Sequence, residues 1–177
     1  MASGANKIPE QLINAMIYDE SGNALGVASV DMPQIQSVTN SVSGAGIAGE
    51  VDSPVLGHFQ SMTMSLKWRT VTSEAAKLCQ QRAHQVDVRG SQQVTDVASG
   101  EYMTVPVRAT MKIVPKSFSL GTFQPSSSTE TEQEFEVIYL KLFVDGKEVA
   151  EIDKYNFIAK FGDVDLLASV RSDLGLN

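Results

Sequence analysis

Alternating apolar and polar residues dominate the chain and predict a mainly β protein. Apolar residues at every second position run from Met62 to Trp68, and a stronger alternation runs from Met103 to Ile113. Side chains of a strand point alternately to opposite faces, so each run predicts a strand with one core face and one polar face. Further strand patterns occupy residues 11–18, 34–40, 86–97 and 134–144.

Turn residues between these runs predict how the strands connect. The Asp-Glu-Ser-Gly-Asn cluster at 19–23 predicts a hairpin between the first strand and a second at 24–32. Asp145-Gly146 predicts a tight hairpin that leads into a strand at 147–153. Pro106 cannot donate a ladder hydrogen bond, so we expect it at a bulge or a sheet edge. The Ser-rich residues 126–132 predict a polar loop.

Two helices complete the pattern. Thr72 offers an N-cap, and apolar residues at helical spacing extend this helix to about residue 85. A short C-terminal helix has Asp163 or Asp165 as its cap and Gly175 as its stop. The apolar stripe of this helix comprises Leu166, Leu167, Val170 and Leu174. Together, these strands and helices predict an antiparallel β-barrel or sandwich with additional helices, in a single domain covering residues 1–177.

Composition narrows the classes of function. A chain of 177 residues with 42% hydrophobic content can bury a core, and its net charge of −7 argues against wrapping nucleic acid through its phosphates. Aromatic residues are too sparse for a base-stacking platform. Residues 1–7 lack an apolar export signal and no stretch reaches the length of a membrane span, so we expect a soluble protein without a membrane anchor.

The segment from Gly44 to Gly49 matches the dinucleotide-binding pattern G-x-G-x-x-G in its letters. That pattern requires a buried strand before it and a helix opening within it. Here an alternating, half-exposed strand pattern precedes it, and Glu50, Asp52 and Pro54 follow, which oppose phosphate binding and a helix. The segment therefore indicates a flexible loop between strands and not a cofactor site.

Catalytic and metal-binding chemistry find little support. His58 at a strand start favours a packing or turn role, and His84 near the predicted helix end favours capping. Cys79 lies on the apolar stripe of that helix without an adjacent base, which favours a small buried residue. No zinc spacing and no EF-hand loop occurs. We therefore expect no enzyme, no cofactor and no metal.

Several landmarks occur together from about Asn14 to Leu176. They are the motif Asn-Ala-Met-Ile-Tyr at 14–18, Leu-Gly-Val at 25–27, Met-Pro-Gln-Ile at 32–35, the loop 44–49 with its acidic continuation 50–52, and the closing Arg-Ser-Asp-Leu-Gly-Leu at 171–176. This set resembles the major tail tube proteins of contractile-tailed bacteriophages and of phage-tail-like bacteriocins. Met32 where the family usually has Leu, the Gly-Ala-Gly spacing at 44–46 and a longer Ser-rich insert at 125–131 depart from the family pattern.

The resemblance implies a fold of two packed antiparallel sheets closing into a barrel, with one flanking helix. It implies hexameric rings that stack into a hollow tube inside a contractile sheath, and a lumen that conducts viral DNA without binding it specifically. The implied partners are further copies of the chain, the sheath, the baseplate and the tail terminator. The implied location is the virion tail, assembled in the host cytoplasm.

The glycine-rich segment then reads as an extended assembly loop at about 40–57, because glycines let a protruding segment adopt the backbone that a neighbour requires. The candidate inter-subunit contacts are Gly44, Gly46, Ile47, Gly49, Val51, Pro54, Leu174 and Leu176. The N-terminal arm and the C-terminal helix are further candidates. The candidates for the lumen wall are Ser61, Thr63, Ser65, Thr104 and Thr110, and the same residues would equally suit a plain solvent-facing sheet.

Two alternatives remain open at this point, and an enzyme is not one of them. A tube subunit of a phage-tail-like bacteriocin or of a type VI secretion-like system would share the architecture. A monomeric ligand-binding β-barrel of the lipocalin type would not associate with itself. An enzyme would need a triad or metal set that the sequence does not offer.

Overall fold

The computed structural model describes residues 7–176 and is mostly β. The elements in chain order are β1 Lys7–Tyr18, β2 Ser29–Asp31, β3 Ser37–Ser43, β4 Glu50–Phe59, β5 Thr63–Trp68, α1 Ser73–Leu78, β6 His84–Asp96, β7 Tyr102–Ser119, β8 Thr131–Val144, β9 Lys147–Asp153, β10 Ile158–Phe161, β11 Val164–Asp165 and α2 Ala168–Asp173.

Nine of these strands form one antiparallel sheet in the order β1-β6-β7-β8-β9-β10-β11, with β5 and β2 branching from β8. The branch arises because β8 is long. Its first half pairs with β5 and its second half pairs with β9, while β7 pairs along its other side. Strands β3 and β4 form a separate two-stranded sheet. The two antiparallel sheets agree with the expected fold class.

The expected closure into a barrel does not occur within residues 7–176. Strand β1 pairs with β6 and β2 pairs with β5, and within the described residues no ladder joins β1 to β2. The isolated bridge from Tyr18 at the end of β1 leads to Ala24, which precedes β2. A groove of about 330 Å³ separates β1 from β2, lined by residues of β1 and of 27–32. The nine-stranded sheet is therefore curved but open.

The predicted apolar face of β5 is confirmed as the centre of the core. Met62, Met64, Leu66 and Trp68 are buried, and they pack with apolar side chains of β6, β7 and β8. Burying one such side chain contributes about 1.5–3 kcal/mol. On β7 the predicted alternation is buried from Ala109 to Ile113, whereas Met103 is exposed because it lies beyond the core.

The predicted hairpin between residues 11–18 and 24–32 is wrong. The turn exists, because the Asp19 carboxylate accepts the backbone N–H groups of Ser21 and Asn23 at 2.9 and 2.8 Å. Beyond it the chain leaves β1, with Gly26 in the left-handed region at φ +68°. Only the short β2 is a strand, and it pairs with β5.

The first helix begins where predicted but ends earlier. The Thr72 hydroxyl accepts the N–H of Ala75 at 3.1 Å, and α1 ends at Leu78 instead of near residue 85. His84 already belongs to β6, where it pairs with Ile113. At residues 84–85, sheet pairing therefore outweighs the helical spacing. The His84 ring nitrogen Nε2 lies 3.0 Å from the Gln80 carbonyl oxygen, so the imidazole does contact a carbonyl just after the helix.

The remaining connections mix confirmed and corrected predictions. Asp145 and Gly146 both have positive φ and join β8 to β9 in the predicted hairpin. Pro106 causes no bulge; it pairs with Ser91 on β6 just before the part of β7 that also pairs with β8. It therefore lies on a local edge of the sheet. Strands β10 and β11 were not predicted.

The C-terminal helix α2 lacks the predicted aspartate N-cap. Its N-cap residue is Leu167, without a side-chain cap, while the Asp165 carboxylate accepts the N–H of Leu167 at 3.1 Å. The predicted stop is confirmed. Gly175 has φ +68°, and the Leu176 N–H donates to the Arg171 carbonyl oxygen at 2.9 Å, as in a Schellman ending. Of the predicted stripe, Leu167 is buried and Leu174 is exposed.

Candidate functional site

The predicted assembly loop forms an ordered β-hairpin, which we call the arm (residues 37–59, strands β3 and β4). Val42 lies opposite Val51, Thr39 lies opposite Pro54, and the connection at 44–49 closes the end. Every residue from 39 to 54 is exposed. The glycine-rich segment is thus the tip of a hairpin, and most of the expected loop at 40–57 is paired in β3 and β4.

The three glycines of the tip all have positive φ. The values are +138° at Gly44, +93° at Gly46 and +129° at Gly49, and a Cβ added at any of them would meet nothing within 4 Å. These glycines are required by backbone conformation, since L side chains rarely adopt such angles. No phosphate-binding helix follows, because β4 begins at Glu50.

The arm carries apolar side chains that its own chain does not cover. Ile47 at the tip is 39% exposed, and the cross-strand pair Val42 and Val51 is 42% and 56% exposed. An isolated two-stranded hairpin is at best marginally stable in water. The predicted contact residues from Gly44 to Pro54 are therefore brought together on one projecting surface that a partner could cover.

The other two predicted contact residues lie elsewhere. Leu174 and Leu176 are 58% and 51% exposed at the end of α2. Arg171 holds this end in place: it donates to the Asp165 carboxylate at 2.6 Å and to the Phe157 carbonyl oxygen at 2.7 Å. The predicted contacts thus divide into an arm tip and a C-terminal apolar pair. The N-terminal arm is a further candidate, and its first residues, 1–6, lie outside the described residues.

The five predicted lumen-wall residues share one face of the nine-stranded sheet, opposite the core. Thr63 pairs with Glu136 on β8, next to the buried Met62 and Met64. On β7, Thr110 lies between the buried Ala109 and Met111, and Thr104 lies an even number of residues from it, on the same side of the strand. We call this side of the sheet the polar face. The predicted lumen-wall residues on it are Ser61, Thr63, Ser65, Thr104 and Thr110.

Charged groups on the polar face form a network that sequence reasoning missed. Asp87 is buried in its centre, and its carboxylate accepts hydrogen bonds from Thr110 at 2.6 Å, Arg108 at 2.6 Å and Arg89 at 3.1 Å. The Arg89 guanidinium also lies 4.5 Å from the centre of the Tyr18 ring. Burial raises the pKa of Asp87, but these three hydrogen bonds outweigh it and hold the pKa below its ordinary value.

The network continues across β8 and β9. Lys141 lies 2.9 Å from Glu148 and 3.3 Å from Glu151, which also accepts the Tyr139 hydroxyl at 2.9 Å. Burial, followed by this bond to Glu151, raises the pKa of Tyr139 to about 12. The polar face therefore carries an array of paired charges beside the predicted threonines and serines. The cross-strand register, which the sequence pattern does not contain, creates these pairs.

The candidate chemical groups lie apart from one another. His58 is exposed on the arm base, whereas His84 is buried at the start of β6. Cys79 is half-buried and its sulfur accepts a hydrogen bond from Gln133 at 3.1 Å, so it is not the purely apolar residue expected. Within residues 7–176, no three His, Cys, Asp or Glu side chains cluster in a way that could hold a metal ion. Neither helix in this range is long and apolar enough to cross a bilayer.

A solved structure has a similar architecture. The fold matches a chain from the cryo-EM structure of an extracellular contractile injection system, described as the PVC sheath/tube terminator in the extended state, with a TM-score of 0.52. The alignment covers 77% of this chain and 97% of that one at 13% identity. At this identity the likeness establishes only that the two chains share a fold.

Sequence comparison defines the family. Residues 9–175 match the family model described as phage tail tube protein FII. The tail tube protein of Escherichia phage P2 is 31% identical over 176 residues, covering 96% of this chain and 99% of that protein. The chain belongs to this phage tail tube family, and it is a structural component of a contractile phage tail or tail-like particle, not an enzyme.

Proposed function

We propose that six copies of this chain form a ring and that the rings stack into a hollow tube within the contractile sheath. After contraction, the tube conducts viral DNA into the host. The observation that carries this proposal is the arm, in which every residue from 39 to 54 is exposed although apolar residues lie at its tip and along its strands. Such a surface is stable in solution when a second copy covers it.

The outer edge of β1 supports lateral association within a ring. This strand has 12 residues and pairs on one side with β6. Its apolar side chains Ile8, Leu12, Ile13 and Met16 are each at least half exposed. A long edge strand of this kind is an aggregation hazard in a monomer, and ring closure removes the hazard.

The arm supports stacking between rings. A stacked assembly needs a heterologous contact, in which a projecting segment of one copy reaches a different surface of the next. The arm supplies such a segment, with an apolar tip, the carboxylates Glu50 and Asp52, and no Lys or Arg. The exposed Leu174 and Leu176 offer a second assembly contact.

The polar face is the candidate lumen wall. Its cations are largely paired with carboxylates, as in Lys116 with Glu134 at 2.9 Å and Lys154 with Glu136 at 3.2 Å. Paired cations hold phosphates more weakly than free ones, because the neighbouring carboxylate repels the DNA. A wall of this kind suits passage of DNA without retention. We also propose that the tube lies inside the sheath and contacts the baseplate and the tail terminator. Assembly of the tail takes place in the host cytoplasm.

Electron microscopy of the purified full-length protein tests the proposal. We expect rings and hollow tubes of uniform diameter in negative stain. A protein that remains monomeric in size-exclusion chromatography and binds apolar ligands would instead support the ligand-binding barrel. A second sample, particles isolated from the producing cells, separates the alternatives. Tubes on particles without a DNA-filled head would favour a bacteriocin or secretion-like machine over a phage.

A shortened arm tests the role of the arm. Replacing residues 42–51 by an Asn-Gly turn keeps Ser41 opposite Asp52 and leaves the nine-stranded sheet untouched. We expect a folded subunit that forms no tubes. Deletion of Ser127 and Ser128 from the exposed loop before β8 is the matched control and leaves assembly intact. Long tubes from the shortened-arm variant would contradict the stacking role.

A further inference from the structure

The arm is attached to the C-terminal part of the chain at its base. The Phe59 ring at the end of β4 packs edge-on against the Phe161 ring of β10, with centroids 6.0 Å apart and planes at 67°. One residue later, the Gln60 carbonyl oxygen accepts a hydrogen bond from Lys154 Nζ at 2.9 Å. These contacts fix the point at which the arm leaves the body of the protein.

The arm bends just beyond this attachment. Ser37 pairs with Phe59, whereas the next pair is Thr39 with Pro54, so the single residue Val38 faces the four residues 55–58. The ladder of the arm is therefore interrupted between its base and its outer part. A bulge of this kind bends the strand that carries the extra residues. Its conformation decides where the outer arm points.

Gly57 lies within this bulge and directly against Leu167. Its φ is +66°, and a Cβ built on it would lie 2.5 Å from Leu167 Cδ2 and closer still to Cγ. By contrast, Gly100 in the turn between β6 and β7 has a similar φ of +71° with nothing within 4 Å of such a Cβ. Position 57 thus requires glycine for two reasons: the Leu167 side chain lies close to it, and its φ is positive.

Burial and hydrogen bonds of the neighbouring backbone hold Leu167 in place. It is buried, and its N–H donates to Asp165, whose carboxylate is bound by Arg171 at 2.6 Å. The hydrogen bond from Arg171 lowers the pKa of Asp165, so this carboxylate stays ionised at neutral pH. The preceding residue, Leu166, donates its N–H to the Ala159 carbonyl oxygen at 2.8 Å. Leu167 therefore cannot yield readily when its neighbour changes.

We infer that the contact of Gly57 with Leu167 is a positioning device that sets the direction of the arm, and so the place at which a second copy receives it. This inference rests on the proposed tube. The outer arm has five residue pairs, from Thr39–Pro54 to Ser43–Glu50, and extends on the order of 15 Å. A shift of one or two ångströms at the bulge is enlarged along this length and misplaces the tip.

The first test measures the arm in the free subunit. Spin labels are attached to Ala48→Cys at the tip and Lys147→Cys on the β8–β9 hairpin, in a Cys79→Ser background. The Gly57→Ala substitution displaces or broadens the distance distribution by several ångströms. Gly100→Ala, the control for the cost of a left-handed backbone, leaves the distribution unchanged. An unchanged distribution in folded Gly57→Ala overturns the inference, whether or not tubes form.

The second test measures assembly by the full-length protein. Gly57→Ala reduces the number of tubes seen by electron microscopy at least tenfold, while Gly100→Ala assembles normally. Combining Gly57→Ala with Leu167→Ala removes the colliding atoms Cγ and Cδ2 and restores tubes. Normal tubes from Gly57→Ala, or no recovery in a double variant that is folded by circular dichroism, overturns the inference. Failure of the unsubstituted chain to form tubes would instead contradict the proposed function.

Discussion

The nine-stranded sheet and the arm obtain their stability in different ways. The sheet buries a core in which Met64, Leu66 and Met111 have no exposed surface, so its apolar residues are satisfied within one chain. The arm has the same alternation of strand residues, but Val42 and Val51 remain exposed. The comparison teaches that an apolar residue on a strand of this protein is either packed within the chain or left exposed, and the proposed tube assigns the exposed ones to contact with another copy. Only its position in the fold distinguishes the two.

The largest expected effect comes from the same substitution made in both regions. Leu66→Ala in the core of the sheet lowers the free energy of unfolding of the subunit by about 2–5 kcal/mol, because it leaves a cavity. Leu56→Ala on the arm, where the side chain is 55% exposed, changes it by less than about 0.5 kcal/mol. Urea denaturation of the subunits measures both values. Equal losses would abolish the distinction between the two regions.

The next largest effect on subunit stability is expected when a carboxylate is removed from the polar face instead of from the arm. Asp87→Ala leaves Arg89 and Arg108 without their shared carboxylate and costs about 1–3 kcal/mol. Asp52→Ala on the arm is the control, and it leaves the stability of the subunit unchanged.

The same carboxylate predicts a pH dependence. Because the folded-state pKa of Asp87 is lowered, its contribution is complete above the unfolded pKa of about 3.9 and is lost as the pH falls through the folded pKa. Asp87→Asn therefore shows a smaller loss of stability below about pH 4 than the unsubstituted chain. Denaturation midpoints between pH 2 and pH 6 measure this difference, and parallel curves would contradict it.

A smaller effect is expected at the start of α1. Thr72→Ala removes the hydroxyl that accepts the Ala75 N–H and costs about 1 kcal/mol. Thr39→Ala on the exposed arm serves as the matched control, with no change expected. Thermal unfolding followed by circular dichroism measures both variants; Thr72→Ser, which keeps the hydroxyl, retains most of the stability.

The smallest effect on subunit stability is expected at the tip of the arm. Ile47→Ser changes the free energy of unfolding by less than about 0.5 kcal/mol, because Ile47 is exposed at the tip and lies outside the hydrophobic core. Assembly, in contrast, falls clearly, since the tip meets the next copy in the proposed tube. Ile47→Val keeps an apolar tip and assembles. Light scattering during assembly distinguishes the variants, and normal assembly of Ile47→Ser would remove the tip from the interface.

Local signals predicted the elements that depend on local chemistry. Thr72 caps α1, Asp145-Gly146 turns a hairpin, and Gly175 ends α2, each because neighbouring backbone atoms alone determine the result. The signals failed where distant strands competed for the same residues. Residues 84–85 follow a helical spacing but pair with β7, and residues 24–28 have strand-like composition but leave β1.

The candidate assembly residues could be predicted only in part. The glycines at 44, 46 and 49 indicated an unusual backbone, and the family resemblance connected them with assembly. Nothing in the sequence paired Gly57 with Leu167 or brought Arg108 to Asp87, because these contacts join residues 110 and 21 positions apart. A single glycine between Leu56 and His58 carries no visible sign of the side chain that it accommodates.

The sequence by itself determined the mainly β class, the faces of its principal strands, the start of one helix and the family of phage tail tubes. Side-chain alternation and turn chemistry act over a few residues, and the pattern therefore records them. The tertiary structure decided that the sheet stays open, that the glycine-rich segment is an exposed arm and that the polar face carries paired charges. These depend on strand order and register, which long-range packing selects and which no local pattern encodes.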